Sequence, residues 1–230
     1  MIRVSGNRMS PAKFVSELEI GWTPMVVDSR LSFWYDFSGG ISNLSSIPNL
    51  SSEGSPLVPA GQLGTEVSYL GFYSLRGYGS NNTYASEYNF TVPTRPYLFG
   101  MVFALAADYN EGVSSYLTDN GGGNVLRFAI NNANPTVLYL NNGTQFSLGH
   151  PNKERLHLVV AGFDVGNGGW VQFNSTYASM GHNEPNTPTY VRTCYNAKVS
   201  MYELFLFDEY TAEEAERAIW YLSDKYEIEV

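Results

Sequence analysis

The chain has 230 residues, with 13 Lys and Arg against 22 Asp and Glu, so its formal net charge is -9 at pH 7. That acidity removes the long-range attraction to phosphate backbones and anionic lipids, which needs clustered Lys and Arg, so neither nucleic acid nor membrane is an expected partner. The length suffices to bury roughly 70% of the extended-chain surface in one domain, the single cysteine, Cys194, excludes an internal disulfide, and no apolar run approaches the ~18 residues of a membrane span.

Residues 1–26 read as an N-terminal arm. Ser10-Pro11 followed by Ala-Lys-Phe-Val-Ser-Glu-Leu-Glu places Pro in the first turn of a short helix, with Phe14 and Leu18 on one face. A helix this short must dock, either on its own domain or on a neighbouring subunit as an attachment arm. No apolar segment follows the N-terminal basic residues, so no secretion signal is expected.

Residues 27–230 read as one domain. Leu31-Ser-Phe-Trp-Tyr-Asp-Phe37 is an aromatic strand ended by Gly39-Gly40, and residues 38–65, rich in Ser, Gly, Pro and Asn, form a long loop with at most a short strand. Val67–Tyr73, Pro96–Leu105, Val113–Leu117 and Val125–Ile130 follow as strands bounded by Gly, Asn or Pro. Arg155–Asp164 and Gly169–Asn174, joined by Val165-Gly-Asn-Gly168, predict a hairpin whose Gly and Asn supply the positive-φ positions of its turn.

Lys198–Phe207 is a strand that runs into a helix over Thr211–Tyr226. Thr211 and Glu214 have capping-box spacing, so the helix start is encoded locally. Ala215, Ala218, Ile219, Leu222 and Tyr226 recur at three- and four-residue steps as one apolar stripe, with Glu213, Glu216, Arg217 and Asp224 largely outside it; that stripe must lie on a sheet.

This ending resembles that of concanavalin A-like (laminin-G-like) jelly-roll domains of bacteria and tailed phages, in register, through Glu203, Leu204, Phe207, Asp208, Thr211, Glu213, Glu216, Tyr221, Leu222, Lys225 and Tyr226. Trp34-Tyr35-Asp36 is similar to the Trp-x-Asp that opens such domains, and the His157 strand, its turn and the strand ending at Asn174 follow the same pattern. The resemblance implies an all-β fold: an antiparallel two-sheet β-sandwich of jelly-roll type, closed by the C-terminal α-helix and preceded by the short arm.

Catalytic chemistry is not legible in the residues. A retaining glycosidase needs two carboxylates about 5 Å apart, often from Glu-x-Asp-x-x-Glu on one strand, and nothing matches; Glu203 stands alone on its strand and reads as a hydrogen-bonded structural carboxylate. The three histidines, His150, His157 and His182, lack a Gly-x-Ser-x-Gly elbow, and His157 reads as a satisfied histidine within the sheet. Cys194 reads as a small apolar residue rather than a nucleophile. No enzymatic activity is therefore expected, with an unrecognised hydrolase as the last reading.

Relatives of this resemblance often bind calcium in loops, so Asp119, Asn124 and Asp164 are candidate oxygen donors, although Asp119–Asn124 and Asp164–Asn167 serve equally well as turns. Asn-x-Ser/Thr triplets at Asn43, Asn49, Asn81, Asn89, Asn142 and Asn174 read as by-products of Asn- and Ser-rich loops. Tyr78, Tyr84, Tyr88, Tyr109 and Tyr177 read as loop aromatics able to cover the apolar face of a sugar, or alternatively to fill sandwich edges and interfaces.

The first expectation of function, implied by the resemblance, is a non-catalytic virion structural protein of a tailed phage, a capsid decoration or other surface subunit assembled in the bacterial cytoplasm. Its partners would be other virion proteins, through symmetric self-assembly or a capsid lattice, with Phe14, Val15 and Leu18 of the arm as anchors. The alternative is a glycan-binding adhesin or receptor-binding module at the phage tail or on a bacterial surface.

Overall fold

In a computed structural model the protein is described over residues 22–52, 55–59, 64–77, 84–87, 97–107, 115–119, 127–131, 137–141, 145–149, 151–164, 168–180, 190–194 and 198–230. The helix expected within the arm, with Phe14, Val15 and Leu18, lies outside these residues. A short 3-10 helix, Pro24–Arg30, leads into the first strand.

The strands are β1 (Leu31–Asp36), β2 (Val58–Pro59), β3 (Thr65–Tyr69), β4 (Phe72–Arg76), β5 (Tyr84–Glu87), β6 (Tyr97–Leu105), β7 (Ser115–Asp119), β8 (Arg127–Asn131), β9 (Val137–Asn141), β10 (Gln145–Gly149), β11 (Leu156–Asp164), β12 (Gly168–Phe173), β13 (Thr176–Met180), β14 (Tyr190–Thr193) and β15 (Val199–Phe207). They make two antiparallel sheets. The first runs β13-β12-β11-β6-β15-β4-β3, with β1 also paired to β15; the second runs β10-β9-β8-β7-β14-β5-β2. The architecture is the antiparallel β-sandwich of jelly-roll type that the sequence implied, closed by one C-terminal helix, α1 (Ala212–Tyr226).

The central strands β6 and β15 are buried along their whole length, because both faces of the first sheet are covered. Phe33, Tyr35, Phe99, Met101, Phe103, Val159, Ala161, Leu204 and Leu206 form the inner core, which also takes in Cys194, directly after β14 of the second sheet. Leu98, Val102, Leu158, Val160, Tyr202, Phe205 and Phe207 face outward and meet Ala215, Ala218, Leu222 and Tyr226 of α1, the expected stripe, with Ile219 packed at its margin.

Helix α1 starts as its residues predict. Thr211 Oγ1 accepts from the Glu214 amide at 3.2 Å, and Glu214 Oε2 accepts from the Thr211 amide at 2.7 Å. Arg30 then clamps Glu214, donating to both of its oxygens. Burial raises the Glu214 carboxyl, yet the Arg30 and Thr211 donors outweigh it and hold the group below its ordinary value.

Val67–Tyr73 is not a single strand but the meeting of β3 and β4, which pair Tyr69 with Phe72 across a two-residue turn. Leu70 and Gly71 occupy that turn at φ 54° and 88°, the positive-φ pair of a tight hairpin, for which a leucine carries no sequence signal.

Candidate functional site

The outer face of the first sheet carries two groups of polar and aromatic residues. Beneath α1, Glu203 of β15 is fully buried and saturated with donors. Trp34 Nε1 (2.7 Å) and Tyr221 Oη (2.9 Å) donate to its Oε1, and Lys225 Nζ (2.7 Å) and Tyr226 Oη (2.9 Å) to its Oε2. Lys225 also reaches Asp36 Oδ2 at 2.7 Å, while Asp36 Oδ1 accepts from the Ser38 amide and hydroxyl. Burial pushes the Glu203 carboxyl up, against the opposing pull of Lys225; burial and then the nearby Glu203 push both tyrosine phenols up.

These are the residues that carried the family resemblance at opposite ends of the chain, Trp34 and Asp36 with Glu203, Tyr221, Lys225 and Tyr226. The fold joins them into a clamp between β1, β15 and α1. Two carboxylates sharing one ammonium look like a glycosidase pair on paper. No sugar could reach Glu203, because its side chain has no exposure and each of its oxygens is already engaged.

The second group lies at the open edge. Trp170 of β12 and Tyr177 of β13 project from the same outer face, since Val171 and Phe173 turn inward and strand alternation sends Trp170 and Gln172 outward. Their rings are nearly parallel, 19° apart with centroids at 6.1 Å, and Tyr177 is 61% exposed. Trp170 is held from behind, its indole Nε1 donating to Tyr210 Oη at 3.0 Å. Gly162 of β11 makes this possible: a Cβ there would stand 2.3 Å from Trp170 Nε1 and 2.2 Å from Tyr210 Oη, so the indole lies where a side chain would otherwise be.

Of the predicted sugar-binding tyrosines, Tyr177 and Tyr84 belong to different sheets. Tyr177 is a strand residue, not a loop one, and so is Tyr84, which opens β5; pairing with Gln172 and Thr193, not loop composition, decides this. Tyr78, Tyr88, Tyr109 and Asn124 lie outside the described residues. Asp119 ends β7, opposite Arg192 of β14, and Asp164 ends β11, opposite Gly168, so these two calcium candidates belong to different sheets. Among the described residues no three His, Cys, Asp or Glu side chains stand together as a metal site. Asn49 and Asn174 use their side-chain oxygens inside the fold, accepting from the Trp34 and Leu158 amides.

His157 is the satisfied histidine expected of it. The Leu158 amide can only donate, which fixes the Asn174 oxygen there and turns its nitrogen toward His157 Nδ1 at 3.0 Å; Nε2 therefore carries the proton and donates to the Asn152 carbonyl at 2.8 Å. Burial lowers its pKa from the ordinary 6.5. Cys194 is fully buried, its thiol pushed up to about 12, as suits an inert core residue. Sequence reasoning missed Trp170 as the partner of Tyr177, and Tyr210 as the partner of Trp170. The usable signal was the two-residue turn at Asn174-Ser175, which sets the register that joins Trp170 to Tyr177.

Neither a family model nor a curated protein sequence matches this chain. Solved structures share its fold. Trypanosoma rangeli sialidase with 2,3-difluorosialic acid superposes with a TM-score of 0.61 at 12% identity, over 86% of this chain and 33% of that one. Domain 4 of an extracellular arabinanase from Geobacillus stearothermophilus, in complex with arabinotriose, gives 0.59 at 12% identity over 82% and 98%. The receptor binding domain of botulinum neurotoxin C/D mosaic serotype gives 0.60 at 10% identity over 86% and 52%. The chain thus spans about a third of the sialidase and nearly all of the arabinanase domain.

The expectation that the chain is not an enzyme is corrected by this comparison, because sialidases recur among the structures that share its fold. At 12% identity the likeness is one of fold and assigns no reaction or residue to this chain. None of the structures named here bears on a virion, and a capsid role keeps the sequence resemblance as its sole support.

Proposed function

We propose that this protein is a glycan-binding module. The observation that carries this reading is Tyr177, an aromatic ring left 61% exposed on a sheet face and backed by the pinned indole of Trp170. A rigid exposed ring offers apolar area with little conformational entropy to lose, the property that a sugar's apolar face uses on binding. The fold supports the same reading, since similar structures were obtained with sialic acid and with arabinotriose. Capsid decoration, first in the sequence reading, takes second place.

The test is an array of immobilised glycans probed with the full chain. Binding to at least one saccharide class is expected. Uniform silence across plant, bacterial and animal glycans would remove the reading.

A further inference from the structure

We propose that the Trp170–Tyr177 pair is the stacking subsite of this module and that it takes uncharged sugar rings in preference to carboxylate-bearing ones such as sialic acid. This rests on the glycan-binding reading and adds to it a place and a chemical class.

The subsite is built before any ligand arrives. Gly162 lets the Trp170 indole lie against the sheet, the Tyr210 hydroxyl fixes the indole through its Nε1, and the parallel Tyr177 ring stands beside it with most of its surface in solvent. Trp170 also meets the Tyr210 ring edge to face, 66° apart at 6.4 Å, a second contact with the same partner. In register with Trp170, Ser179 is exposed on the same face and offers a neutral hydroxyl at the rim. The Gln172 amide is already committed to the Asn174 carbonyl.

Charge decides the class. A sugar carboxylate is best held by a guanidinium or ammonium in a charge-assisted hydrogen bond. Tyr210 instead joins the ledge to the start of α1, where Asp208, Glu209, Glu213 and Glu214 are carried on the chain. Arg30 is engaged by both oxygens of Glu214, and Arg217 pairs with Glu213 at 2.7 Å. The helix N-terminus is no anion site either, because Glu214 fills it through the capping box. Both arginines are thus already engaged by carboxylates, so a sugar carboxylate gains no counter-charge from them, whereas a neutral ring needs none to stack there.

The experiment titrates the full chain with neutral oligosaccharides, arabinotriose and cellotriose among them, and with sialyllactose, following Trp fluorescence and calorimetric heat. Neutral ligands should bind, sialyllactose should bind more weakly, and Tyr177→Ala should weaken the neutral ligand by about tenfold, the change expected of one anchoring aromatic ring. Tyr177→Leu keeps apolar cover over Trp170 and serves as the second variant should the alanine form not fold. Neutral binding unchanged in a folded Tyr177 variant overturns the subsite while leaving a glycan-binding module elsewhere on the chain. Tighter binding of sialyllactose overturns the class. A self-association lost in the same variant would show that the ledge seats a second copy and would overturn the proposal. Silence toward every sugar, here and on the array, removes the module itself.

Discussion

Tyr226 and Tyr177 lie over the same face of one sheet, but Tyr226 is 1% exposed with its hydroxyl on Glu203, and Tyr177 is 61% exposed with its ring beside Trp170. The two settings separate structural from recognitional use of one residue type. Under α1, Trp34, Tyr221 and Tyr226 donate to Glu203 and Lys225 is shared between Glu203 and Asp36, so the group joins β1, β15 and the helix. At the β12–β13 edge the polar atom of the pair, the indole N–H, is spent on Tyr210 while the ring surface stays open. Clusters that look catalytic on a list of residues are thus distinguished by which atoms remain available.

Glu203→Ala should break this contrast most severely. It leaves three neutral donors under the helix without their acceptor and Lys225 with Asp36 alone, so a loss of about 3 to 5 kcal/mol is expected in denaturant unfolding. A loss of less than about 1 kcal/mol, the size of an ordinary substitution, would mean that the clamp does not hold the helix. Thr211→Ala tests the other end of α1. It removes the acceptor for the Glu214 amide but leaves the Arg30 pair, so about 1 kcal/mol should be lost in thermal unfolding.

The pH response sharpens the comparison from the inner face. His157 is neutral in the fold with its pKa below 6.5, so the unfolded chain takes up its proton first as pH falls. Its contribution is fully present above pH 6.5 and is lost as pH drops from there through the folded pKa. Unfolding curves collected across that window should show the loss for the parent chain and a smaller one for His157→Gln; identical slopes would show that His157 is not the group responsible. At the opposite end of the scale, Tyr177→Ala should change stability by no more than about 0.5 kcal/mol, the range of exposed substitutions, so that any effect on binding is free of an effect on folding.

Legibility in the sequence followed the range of the interactions. The Thr211–Glu214 box and the apolar stripe of α1 are local, and both were read from spacing alone. The hairpin of β11 and β12 was also readable, because Gly and Asn mark its turn. The β3–β4 turn was not, since Leu70 adopts φ 54° under the demands of strand pairing and has no propensity for it. Strands β5, β9, β10, β13 and β14 went unread as well. Glu203 was recognised as structural from its isolation, but its partners lie 18 to 169 residues away and no pattern along the chain names them.

The sequence by itself determined the strand-to-helix ending, several strands and the acidic character, because alternation, capping and charge are properties of neighbouring residues, and its family resemblance implied the class of fold. The tertiary structure alone decided which aromatic rings are sealed and which are open. Whether a tyrosine is buried depends on what the opposite strand and the helix bring over it, as Gly162 and Tyr210 do for Trp170, and that juxtaposition exists only once the sheet has formed.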